Sequence, residues 1–72
     1  MVVDKLDRLR IELYNNNGLF MGYLKSVSTS KNKIASVNDK MSAKTYAKQE
    51  TALKDCVLTD KITRGALITK IV

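Results

Sequence analysis

Apolar and polar positions first fall into a regular pattern over LRIELYNNNGLFMGYL, residues 9–24. Leu9, Ile11 and Leu13 alternate with Arg10, Glu12 and Tyr14, the period of two expected of a strand with one buried face. Asn16, Asn17 and Gly18 tolerate the positive φ that tight hairpin turns require, so a second strand should return antiparallel to the first. A two-residue turn at Asn17-Gly18 sets Ile11 against Leu24 and Leu13 against Gly22. A four-residue loop from Asn15 to Gly18 sets Leu13 against Phe20 and Leu9 against Leu24. These registers differ by two residues, so both place Leu9, Ile11, Leu13, Phe20 and Leu24 on one face. The other face then carries Arg8, Arg10, Glu12, Tyr14, Met21, Tyr23 and Lys25. A three-residue loop with a bulge is the least favoured alternative, and it exchanges the faces of the second strand.

The residues before the hairpin, Met1 to Arg8, form either a frayed lead-in or the beginning of the first strand. Ser26 to Lys33 is a polar loop by composition. Ile34 to Val37 supports a short third strand that ends at Asn38-Asp39. Met41 to Tyr46 fits a single helical turn leading into an extended piece, and equally a long helix beginning near Ser42. From Gln49 the spacing becomes helical. Ala52, Leu53, Cys56 and Val57 share one stripe, and Glu50 lies four residues before Lys54 in the favourable order. Asp60 would fall near the centre of that stripe, which predicts a helix end around Leu58 or Thr59. Gly65 then breaks the chain before Ala66 to Val72, a β-branched run apolar on both faces, as suits an interior strand. If this strand runs parallel to the third, the crossover should be right-handed. The expected fold is α+β: a single domain, 1–72, with a β-hairpin and two further strands in one mostly antiparallel sheet. One main helix packs on it, in the order β-β-β-α-β.

At 72 residues the chain allows one modest core, and at 44% apolar and 28% charged residues its composition is globular. Charge changes the picture more. Thirteen Lys/Arg against seven Asp/Glu give a net charge of +6, which favours acidic partners: nucleic acid, anionic lipid or an acidic protein surface. The lone cysteine cannot form an internal disulfide. The opening MVVDKLDRLR has no apolar signal core, and no run approaches the ~18 apolar residues of a membrane span. These features lead us to expect a complete small cytoplasmic protein without membrane contact.

Candidate chemistry is sparse. The absence of histidine removes the commonest general base and zinc ligand. Gly18, Gly22 and Gly65 are too far apart for a phosphate-binding loop. Asp4 and Asp7 lie beside Lys5 and Arg8 and read as a solvated charge cluster. Cys56 sits on the apolar stripe with no base to activate it, and reads as a small buried hydrophobe. No catalytic residue, metal ligand or cofactor is expected, and the protein should not be an enzyme. The loop from Ser26 to Lys33 offers hydroxyls, Lys31 and Lys33 to a phosphate, although such residues also simply keep loops soluble. The second hairpin face is the best candidate for binding. Arg8, Arg10 and Lys25 beside Tyr14, Met21 and Tyr23 combine charge with stacking and interface surfaces.

One further pattern runs along the chain: Gly22-Tyr23-Leu24-Lys25-Ser26, then Asn38-Asp39-Lys40, Ala43-Lys44-x-Tyr46 and Glu50-x-Ala52-x-x-Asp55. Over residues 9–58 it resembles small uncharacterised proteins carried by phages and mobile elements of Gram-positive bacteria. The resemblance implies an accessory role and brings no binding residues with it. Together these readings predict a non-catalytic intracellular protein that modulates a host protein or nucleoprotein through Arg8, Arg10, Tyr14, Met21, Tyr23 and Lys25. The alternative is a single-stranded RNA- or DNA-binding module using the same residues. A homo-oligomer joined through an exposed sheet edge is a third possibility.

Overall fold

The computed structural model describes residues 8–72; the expectations for the lead-in and for the Asp4–Asp7 cluster therefore lie outside the described residues. Four strands, β1 (Ile11–Asn15), β2 (Phe20–Ser28), β3 (Lys33–Val37) and β4 (Leu67–Ile71), form one sheet in the order β3-β2-β1-β4. Every neighbouring pair is antiparallel. One helix, α1 (Gln49–Thr63), follows a 3-10 turn at Lys40–Ser42. The α+β class and the β-β-β-α-β order are those expected.

The hairpin departs from both favoured registers near its turn. Asn15 donates to the carbonyl of Leu19 at 2.9 Å and Gly18 donates to that of Asn15 at 3.0 Å, which encloses a three-residue loop, Asn16 to Gly18. Gly18 takes φ 82, the left-handed position such a loop requires. The Asn15 side chain reinforces the turn by accepting from the N–H groups of Asn17 and Leu19. Tyr14 pairs with Phe20, but Leu13 pairs with Gly22, so Met21 is an extra residue in the ladder. This bulge restores the register of the two-residue turn beyond Gly22. Leu24 therefore joins Ile11 and Leu13 inside as expected, whereas Phe20 is moved to the opposite face.

A core of Ile11, Leu13, Leu24, Tyr46 and Ala52 lies between the sheet's inner face and α1, with Leu9, Val27, Ile34, Cys56, Leu67 and Ile71 against it. Ala52 has no Cγ, so the helix comes close to the strands there. The buried stripe of α1 is Ala52 and Thr59, flanked by the partly exposed Cys56. The Leu53 and Val57 side of the expected stripe faces outward instead. Asp60 thus lies clear of the core, and the helix continues to Thr63, where Arg64 at φ 56 terminates it.

Two other expectations change. β2 extends to Ser28, so the polar loop shrinks to residues 29–32. β4 is an edge strand rather than an interior one: among the described residues it pairs only with β1, antiparallel, and it runs opposite to β3. Its apolar residues face both ways because Leu67 and Ile71 pack on the core while Ile68, opposite Tyr14, lies on the outer face. Between β3 and α1 the first alternative holds. Asp39 caps the 3-10 turn by accepting from Met41 N–H, and an extended piece follows in which Tyr46 bridges Leu9.

Candidate binding face

The outer face of the sheet, opposite α1, gathers most of the residues singled out in the sequence. The β1–β2 register sets Glu12 against Tyr23, and the β1–β4 register sets Glu12 against Lys70 and Tyr14 against Ile68. Phe20, delivered here by the bulge, packs between the two tyrosines. Its ring lies edge-to-face with Tyr14 at 5.7 Å and with Tyr23 at 5.2 Å, the geometry that aromatic quadrupoles prefer. Tyr14 donates to Glu12 Oε1 at 2.8 Å. That bond, with lesser contributions from burial and from the Glu12 charge, raises the Tyr14 hydroxyl above the usual tyrosine range. Phe20 is 46% exposed, Met21 47% and Ile68 51%. Lys25, at a second bulge between Leu24 and Ser26, and Lys70 are exposed cations of this region.

Arg10 does not join the exposed patch. It is 1% exposed, and its guanidinium donates through Nε to the Lys40 carbonyl and through an Nη to the Arg8 carbonyl, each at 3.0 Å. A planar guanidinium suits this task because it can donate in two directions at once. It ties the start of β1 to the 3-10 turn. Arg8 is half-buried, and among the described residues its Nε has no hydrogen-bond partner. Of the six predicted site residues, the fold therefore brings Tyr14, Met21, Tyr23 and Lys25 to accessible positions around the rings. Arg10 is committed to main-chain carbonyls.

A second cluster escaped the sequence reading. Tyr46 is buried, and its hydroxyl donates to Asp55 Oδ2. Lys44 Nζ reaches the same oxygen at 2.8 Å and lies 5.1 Å from the centre of the Tyr46 ring. Burial first, then the hydrogen bond to the carboxylate, pushes the Tyr46 phenol far above its ordinary value of 10.0. The spacing Lys44-x-Tyr46 places both side chains near one carboxylate, but nothing in the sequence marks Asp55 as that carboxylate. The cluster anchors the extended segment to α1.

Among the described residues no group of three or more His, Cys, Asp or Glu could hold a metal ion, and no helix is long and apolar enough to cross a membrane. Comparison with protein-family models, characterised proteins and solved structures finds no match to this chain.

Proposed function

We propose that the chain is a non-catalytic binding protein that docks on another protein through the outer face of its sheet. The observation that carries this reading is the uncovered Tyr14–Phe20–Tyr23 ring cluster, bordered by the exposed Met21 and Ile68. Tyrosine, phenylalanine and methionine are enriched where interfaces concentrate their binding energy. Lys25 and Lys70 at the margin, with the net charge of +6, favour an acidic partner surface. The resemblance to phage and mobile-element proteins supports an intracellular accessory role in which docking modulates a host protein or nucleoprotein.

Single-strand nucleic-acid binding is the second reading, favoured by three rings in a row beside lysines. Two observations weaken it. Arg10 is buried on carbonyls, and Phe20 lies at 69° and 73° to its neighbours rather than presenting an open stacking plane. Affinity capture from a Gram-positive lysate, with and without nuclease, separates the two. Protein docking predicts one retained partner that survives nuclease and is lost with Tyr23→Ala. Micromolar binding to single strands that weakens steeply with salt, with no nuclease-resistant partner, would support the second reading instead.

A further inference from the structure

The open edge of β4 adjoins the exposed side of α1. Arg10 and Val72 exchange both main-chain hydrogen bonds at 2.9 Å, and antiparallel alternation extends that arrangement to the pairs Glu12–Lys70 and Tyr14–Ile68. The N–H and C=O groups of Leu67, Thr69 and Ile71 therefore point away from β1, toward an edge that no described residue pairs with. Beside this edge α1 leaves Leu53 49% and Val57 65% exposed. Val57, Asp60 and Thr69 line one groove between helix and strand. Edge and helix side make one continuous strip that borders the aromatic face at Ile68 and Lys70.

We propose that this strip is the interface of a two-fold homodimer. β4 pairs antiparallel with β4 of a second copy, and the two α1 helices lie side by side in opposite directions. Symmetry and charge select a second copy as the occupant. An axis through Thr69, the middle of β4, sets Leu67 against Ile71 and Ile68 against Lys70 of the other copy, so the two Lys70 side chains never face each other. Because Val57 shares the groove with Thr69, the same axis passes close to the middle of α1. The helix has Glu50 in its first turn, Lys61 in its last and Arg64 at its C-cap. Antiparallel neighbours bring Glu50 of each helix toward Arg64 of the other, and their macrodipoles oppose as well. The opposite sheet edge is guarded: β3 begins at Lys33, and its ladder with β2 is bulged at Lys25. Both features discourage edge pairing.

Sedimentation equilibrium of the full chain tests the assignment. A species of twice the 8.1 kDa chain mass is expected, and Tyr23→Ala leaves it intact. Glu50→Lys and Arg64→Glu each bring like charges together at both helix ends, so each alone should weaken the dimer by about tenfold or more, a change of ~1.4 kcal/mol. An equimolar mixture of the two should associate again, because each supplies the charge that the other has lost. Val57→Cys in a Cys56→Ala background should cross-link to a dimer under mild oxidation, with circular dichroism verifying the fold. A monomer at every concentration up to roughly 1 mM would overturn the proposal. So would a dimer that is indifferent to Val57→Lys and to both charge reversals.

Discussion

Gly18 and Gly22 both adopt positive φ, at 82 and 115, for different reasons. A Cβ at Gly18 would meet nothing within 4 Å, so Gly18→Val should cost only the left-handed backbone, ~1 kcal/mol or somewhat more. A Cβ at Gly22 would stand 2.8 Å from the Val37 carbonyl oxygen. Gly22→Ala should therefore destabilise more than Gly18→Val, as denaturant midpoints would register; the reverse order would contradict the close approach of β3. Tyr46 yields a pH prediction. Its folded phenol stays neutral beyond the usual value of 10.0, while the unfolded phenol ionises there. Its contribution is thus complete below about pH 10 and is lost as pH rises above it. Tyr46→Phe should cost about 1–2 kcal/mol at neutral pH by removing a bond to a carboxylate. It should also flatten the decline in stability above about pH 10, which urea titrations across that range would measure.

At the scale of elements, α1 starts poorly capped. Lys48, at its N-cap, makes no side-chain cap hydrogen bond, leaving first-turn N–H groups to solvent. Lys48→Asp supplies both an acceptor and a negative charge at the positive end of the macrodipole, and should stabilise the fold by about 1 kcal/mol. An unchanged melting temperature would show that residue 48 does not occupy the cap. Element types were legible in the sequence because the alternation from Leu9 to Leu13 and the helical spacing from Gln49 each have a single good periodicity. Boundaries and faces were less so. The bulge at Met21 changes the face of Phe20 without altering any local pattern. On α1, Ala52 and Thr59 are buried although Leu53 and Val57 are more apolar, because a small residue lets the helix approach and nothing in a hydropathy stripe encodes that. β4 looked interior since its outer-face apolar residue, Ile68, lies beside the aromatic cluster rather than in a second core.

At the scale of the whole molecule, one helix covers one face of a four-stranded sheet, and among the described residues no second layer covers the other face. The candidate surface was half legible. Tyr14, Tyr23, Met21 and Lys25 could be placed by alternation, whereas the burial of Arg10 depends on a carbonyl thirty positions away and could not be read from spacing. The most direct test of docking is a set of aromatic-ring NMR shifts. They would be recorded on the labelled chain before and after adding the protein it retains from a nuclease-treated lysate. Docking through the outer face predicts that the Tyr14, Phe20 and Tyr23 rings shift together while the buried Tyr46 ring stays in place. Outer-face rings that stay in place when the retained protein is added, or that respond to a single-stranded oligonucleotide and not to that protein, would contradict it.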